Sequence, residues 1–260
     1  MRKTPGWWFL ISLLAFVWVV IRSLSIPITP DEAFGFFNYI QKGQLFPPEA
    51  KWDANNHLLN TILSFGAVKV FGNGLFVLRL ANVLAYGLFL LVIVRLAQEL
   101  RSLQLKISLF VLLAFSPLLV EFFALSRGYG LSMAFLLWGV FSLKGVIKKL
   151  DATSSFHLLL AGLLMSLANL NLLPLFLLFI MIGLAHIPNR QKSLLRLAYA
   201  VGAVVLIALI GYAFALKQKD LLYYGTTDFL NMSLGYSLSL FTGLGRFWWF
   251  TFLMILPLVV

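Results

Sequence analysis

Nine side chains in this sequence combine a reactive type with a suggestive position. Asp31 and Glu32 stand side by side in the stretch TPDEAFGFFNYIQKGQLFPPEAK (29–51), just after the first long apolar run. Asn55, Asn56 and His57 follow, then Arg79, Glu121, Arg127 and Tyr129. A carboxylate pair where a membrane helix would emerge into water has two roles open to it. Thr29 is a suitable N-cap, and acids in the first turn of the helix it starts are favoured by the helix dipole. Alternatively, a carboxylate there is a general base that takes a proton from a hydroxyl acceptor. Both roles stay open on the pair alone. The amides and imidazole of Asn55-Asn56-His57 either cap the next helix or donate to a pyrophosphate or sugar group. Glu121 lies near the outer end of an apolar segment, where an acid usually faces a cavity or a partner; Arg127, six residues on, is one such partner. The Arg127 guanidinium is equally suited to gripping a phosphate with two donors. Arg79 either snorkels to the membrane surface or holds a lipid phosphate.

The composition says what kind of protein must position these groups. Hydrophobic residues make up 61% of the 260 and charged residues only 11%, with a mean hydropathy of +0.95. A soluble domain carries about 25% charged residues. The reading is an all-α, polytopic transmembrane helical bundle, with residues 1–260 forming one transmembrane domain. The net charge of +11 is accounted for by basic residues held on the cytoplasmic side of a membrane rather than by nucleic-acid binding. Without cysteine there is no disulfide, no Cys-containing zinc site and no thiol nucleophile. The three histidines (His57, His157, His186) are not at metal-ligand spacing. No metal site and no cofactor are assigned, although carboxylates leave room for a divalent cation.

About eight apolar segments reach or approach the roughly 20 residues a span requires: 7–25, 75–95, 107–126, 129–147, 155–170, 172–187, 194–216 and one starting near 246. The first is too long for a signal-peptide core and lacks a cleavage site before Pro27, so it is expected to be retained. The fifth and sixth are short, separated by Asn169-Leu170-Asn171, and read as a tight helical hairpin or as short, broken helices. Alternate loops carry Arg2-Lys3, Arg95-Arg101-Lys106, Lys144-Lys148-Lys149 and Arg190-Lys192-Arg196, while Asp31, Glu32, Glu49, Asp53, Asp220 and Asp228 fall on the other side. The positive-inside rule makes the first side cytoplasmic, with the N-terminus, and the acidic side external. Residues 54–72 hold Lys69 and open on polar residues; counting them as a span would invert every later loop. They are expected to form an amphipathic juxtamembrane helix, with a second over 32–41. The first outer loop, 26–74, then becomes a roof on the membrane. A second lid is expected between Lys217 and Arg246. The last apolar segment stops at Val260, short of a full span, which points to a truncated chain.

The order of these features resembles a known family: a first helix, an outer-loop Asp-Glu, an Asn-Asn-His-Leu-Leu segment, then FGNGLFVLRLANVLAYG, then SP…E…SRGYGLSMAFLL. It is similar to the GT-C-type integral membrane glycosyltransferases, in the superfamily of dolichyl-phosphate-mannose protein mannosyltransferases and lipid A aminoarabinose transferases, over about residues 5–150. The resemblance implies transfer of a sugar from a polyprenyl-phosphate donor on the outer face of the membrane. It implies Asp31 as catalytic base with Glu32 beside it, and His57 and Arg127 near the donor phosphate or the acceptor. Many relatives have His-Pro-Pro-Leu where this chain has His57-Leu58-Leu59. The resulting expectation is an inverting glycosyltransferase of the bacterial inner membrane, with a periplasmic active site and a glycolipid, cell-wall glycan or protein as acceptor. Its partners would be the lipid-linked donor, that acceptor and membrane lipids. Asn55, Asn56, His57, Arg79, Glu121, Arg127 and Tyr129 are the candidates for binding substrate or the donor phosphate. The competing readings are a transporter or flippase for a lipid-linked saccharide, and a non-catalytic membrane assembly subunit.

Overall fold

The computed structural model describes residues 6–149, 152–187 and 192–221, and within them the chain is helical, with no strand. Helix α1 (Gly6–Ser25) is an apolar run ended by the approach of Pro27 and Pro30. The short α2 (Pro30–Gly35) continues into a π-turn, Phe36–Ile40. Helix α3 (Leu58–Phe71) stops at Gly72, whose φ of 85° lies in the left-handed region that glycine adopts without a Cβ clash. Then follow α4 (Leu75–Glu99), α5 (Leu103–Ala114), α6 (Pro117–Ala124), α7 (Gly128–Lys149), α8 (Ala152–Ala168), α9 (Leu173–Ala185) and α10 (Lys192–Gln218).

Among the described residues four helices are long and apolar enough to cross a membrane: Gly6–Ser25, Leu75–Glu99, Gly128–Lys148 and Ser193–Gln218. The third apolar segment is broken at Ser116-Pro117 into α5 and α6, which bend by 48°; counted as one span, it makes five. The described residues thus hold four to five candidate spans, and the expected count of about eight is not confirmed. At 1.5 Å per residue, the 17 residues of α8 reach about 26 Å and the 13 of α9 about 20 Å, against a hydrocarbon core of roughly 30 Å. They form the expected broken hairpin, joined by a 3₁₀ turn at Leu170–Leu172, with the Asn169 side chain accepting from the backbone of Asn171. The segment near 246, the lid expected over 217–246 beyond Leu221, Arg2-Lys3 and Arg190 lie outside the described residues.

Two apolar clusters hold the bundle. Trp8, Val19, Tyr86, Phe89, Ile93, Phe110 and Phe123 join α1, α4, α5 and α6; Val146, Leu158, Met165, Phe176, Phe179 and Tyr199 join α7 to α10. Large side chains also face outward, such as Phe9 on α1 (74% exposed) and Ile207 on α10 (69%). Stripes of this kind are what a lipid solvent accepts and water does not, consistent with a multi-pass membrane protein.

Helix α3 turns polar side chains toward the protein and apolar ones outward. Its Asn60, Thr61 and Ser64 are buried against the protein, while Leu63, Val70 and Phe71 are exposed. Asn60, Thr61 and Ser64 share one face because residues four apart stack on a helix. Asn82 of α4 donates to the Asn60 Oδ1 at 2.6 Å, Asn60 donates to the Ser126 carbonyl at 3.3 Å, and Ser64 donates to the Leu78 carbonyl at 2.9 Å. The polar opening of this segment therefore secures α3 to α4 and to the α6–α7 turn.

The bundle brings the candidate residues to one end. The end of α1, the starts of α4 and α7, and the end of α8 meet there, because Arg79 contacts Ser23 and Ile26 while His57 contacts Ala168. Lys144 and Glu99 pair at the opposite end.

Candidate functional site

The two adjacent carboxylates take different roles. Thr29 is the N-cap of α2 in a full capping box: its Oγ1 accepts from the Glu32 amide at 3.4 Å, and Glu32 Oε2 accepts from the Thr29 amide at 3.0 Å. Pro30 occupies the first turn, where its missing N–H costs nothing. Glu32 points inward. Its Oε1 accepts from Arg79 Nε at 2.7 Å and from the Ser126 amide at 2.7 Å, and its Oε2 accepts from Arg79 Nη2 at 2.6 Å. Burial raises the carboxyl pKa, but the Arg79, Ser126 and Thr29 donors outweigh it and hold the group below its ordinary value.

Arg79 is fully buried and uses all five of its N–H donors. Besides Glu32 it donates to the carbonyls of Ser23, Ile26 and Pro27 at 2.7, 2.8 and 3.1 Å. The Ser23 carbonyl is one that a helix end leaves without a partner, and those of Ile26 and Pro27 lie in the segment just past it. Arg79 thus caps α1 and ties it to α2, leaving no donor for a lipid phosphate. Asn56 is similarly committed: it donates to the Leu45 carbonyl and accepts from Thr61. Glu121 pairs with Arg22 in the last turn of α1, not with Arg127. Arg22 was invisible to sequence reading because its partner lies 99 residues away.

Asp31, by contrast, keeps 44% of its side chain exposed. Arg127 Nη1 lies 2.9 Å from its Oδ2, and Asn55 Nδ2 donates to its Oδ1 at 3.3 Å. Asn55 also accepts from Arg127 Nη2 at 3.4 Å, so it bridges the pair from below. The amide of Asn55 is itself held by Asp53 Oδ1 at 2.8 Å. Tyr129 lies under the Arg127 guanidinium, 4.9 Å from ring centroid to Cζ, and edge-on to His57 at 5.0 Å between centroids. Of the nine candidates, Asp31, Asn55, His57, Arg127 and Tyr129 form one cluster. Glu32 and Arg79 support it, Asn56 lines the adjoining hollow with its polar atoms already paired to Leu45 and Thr61, and Glu121 lies apart.

His57 Nδ1 lies 2.9 Å from the Ala168 carbonyl, and its Nε2 is inaccessible and has no partner among the described residues. Burial, then the Arg127 charge, lower its pKa to about 4, against the smaller opposing effects of Ala168 and Asp31. With a folded value below the unfolded 6.5, the unfolded chain binds more protons between the two. The group is neutral in its effect above pH 6.5 and destabilises the fold as pH falls toward 4, by up to about 3 kcal/mol. Thermal unfolding measured at pH 4.5 and 7.5 is expected to show this loss, and His57→Gln is expected to reduce the difference.

The sequence Ser126-Arg127-Gly128-Tyr129-Gly130 fits this crowding. A Cβ on Gly128 would stand 1.9 Å from the Ala168 carbonyl oxygen and 2.7 Å from the His57 ring. On Gly130 it would meet the Phe122 carbonyl at 2.6 Å and Asn82 at 2.9 Å. Gly128→Ala is expected to push His57 off Ala168 and cost about 1–3 kcal/mol by overpacking, read as a lowered melting temperature in detergent.

Two hollows adjoin the cluster. One, of about 20 Å³, lies between Asp31, Glu32, His57, Asn60 and Arg127. The other, of about 150 Å³, is lined by Asn55, His57, Arg127, Tyr129, Asn169 and Asn171 among others. Asn169 and Asn171, read from sequence as a hairpin turn, are thereby part of the site. Among the described residues no group of three or more His, Cys, Asp or Glu side chains is close enough to hold a metal ion. In comparisons with known proteins, no family model, no curated protein and no solved structure matches the chain.

Proposed function

We propose that the protein is an inverting glycosyltransferase that uses a polyprenyl-phosphate-linked sugar, with its site on the external face of a bacterial inner membrane. One observation carries this reading: Asp31 is partly exposed, lines a small hollow of about 20 Å³ with His57 and Arg127, and is paired with Arg127, whereas its neighbour Glu32 is taken up by the fold. The acceptor hydroxyl oxygen attacks the anomeric carbon as the bond from that carbon to the phosphate oxygen breaks. The electron pair leaves with the phosphate, and the hydroxyl proton passes to the Asp31 carboxylate. The Arg127 guanidinium, held beside Asp31, supplies positive charge that compensates the charge developing on the leaving phosphate.

The cluster's gathering at one end of the bundle, with Lys144–Glu99 at the other, favours an enzyme over a transporter, which needs polar groups along a path across the bilayer. The test is incubation of the purified protein with a panel of polyprenyl-phosphate hexoses and pentoses, following release of polyprenyl phosphate. Release of the bare lipid phosphate supports the reading. Its absence for every sugar, in protein that is folded and lipid-embedded, overturns it.

A further inference from the structure

The hollow of about 150 Å³ is lined by His57 and Arg127, and each carries a buried side-chain nitrogen without a partner among the described residues: Nε2 of His57 and Nε of Arg127. A buried polar atom without a partner costs on the order of 1–3 kcal/mol, so each calls for an explanation. The partner of His57 Nδ1 is a carbonyl, which only accepts. Nδ1 therefore carries the ring proton, and Nε2 presents a bare lone pair. An acceptor cannot bind a phosphate oxygen, which is itself an acceptor. It can take a proton from a hydroxyl. Arg127 Nε is the converse, a donor in need of an oxygen. A hydroxyl group satisfies both kinds of atom, donating to one and accepting from the other.

The remaining lining fits the same ligand. Asn55 and Asn169 are half-buried and Asn171 is exposed in the turn between α8 and α9, and a carboxamide both donates and accepts. Asn169 Oδ1 is used by the Asn171 amide, which fixes the turn and leaves the Asn171 side chain facing the hollow's rim. Tyr129 adds an aromatic surface. The volume equals about five waters at ~30 Å³ each, room for a single ring.

We propose that this cleft is a subsite for one neutral sugar ring, in which His57 Nε2 accepts from a ring hydroxyl and Asn171 hydrogen-bonds another. It rests on the glycosyl-transfer reading and assigns the ring, not the phosphate, to His57. The turn at 169–171 becomes the specificity-determining element, because it brings the carboxamides of Asn169 and Asn171 to the cleft beside the apolar Leu167 and Ala168 of α8.

The test uses wild-type protein in lipid nanodiscs without acceptor, titrated with short-chain polyprenyl phosphate carrying a hexose or a pentose, and with the same lipid phosphate bare. At least one sugar-bearing lipid is expected to bind about tenfold more tightly than the bare one. Asn171→Ala is expected to erase about three- to tenfold of that advantage without changing affinity for the bare lipid. With histidine ¹⁵N-labelled, only three imidazoles contribute, and the unprotonated Nε2 signal of His57 is expected to shift on adding the sugar-bearing lipid alone. Equal binding of sugar-bearing and bare lipids, or an Nε2 signal that ignores the sugar, overturns the subsite and assigns the cleft to water while leaving glycosyl transfer standing. Failure to bind either lipid overturns both.

Discussion

Glu32→Gln is expected to remove most of the folded protein, although the changed residue adjoins the proposed catalytic one. The carboxylate accepts from Thr29, Arg79 and Ser126 and so joins α2, α4 and the α6–α7 turn in one buried knot. Substituting the amide leaves the Arg79 charge at 0% exposure without its counter-charge and places an NH₂ against an arginine donor. Breaking one side of a buried ion pair costs about 3–5 kcal/mol, a large part of the 5–15 kcal/mol that holds a typical domain together. Thermal unfolding in detergent and recovery of monodisperse protein measure this. Arg79→Met should be as damaging, and the double variant less so than the sum, because the stranded charge is gone. Full stability of Glu32→Gln would mean that the knot contributes little. The pH behaviour follows from the lowered Glu32 pKa. A carboxyl depressed in the folded state contributes stability that is complete above its unfolded value near 4.5 and is lost as pH falls through the folded one. It acts in the same direction as His57, but over a more acidic range.

Asp31→Asn is expected to do the reverse: abolish transfer and spare the fold. A largely solvent-accessible ion pair is worth about 0–1 kcal/mol, and the single amide oxygen can still accept from Arg127 while the contact with Asn55 is given up at little cost. General-base catalysis contributes typically 10²- to 10⁴-fold, so kcat should fall by about that factor with the melting temperature nearly unchanged. KM for the donor should move little, since the group acts on the acceptor proton. Activity retained in this variant would remove Asp31 from the reaction. The paired experiments separate two neighbouring acids that a single alanine scan would merge.

The sequence by itself determined the parts of this protein that depend on local chemistry. Thr29-Pro30-Asp31-Glu32 contains its own helix start, since cap, proline and N3 acid act within one turn. The apolar lengths of 7–25 and 75–95 determined two spans, because lipid solvent tolerates little else over 20 residues. The break at Asn169-Leu170-Asn171 was visible for the same reason. What each acid does was not legible. Which of Asp31 and Glu32 is buried depends on where Arg79 and Ser126 arrive, 47 and 94 residues downstream. Apolar character alone also did not separate long helices from short ones: α8 and α9 are apolar, yet too short to cross a hydrocarbon core singly. Helix α3 reads as an interfacial helix with water on its polar side, and only tertiary packing turns that side inward, where Asn82 and Ser126 supply partners that water would otherwise supply. The free lone pair of His57 is the clearest case. Its residue type was evident from the start, but its tautomer, and so the kind of ligand atom it can hold, was decided by the Ala168 carbonyl 111 residues away.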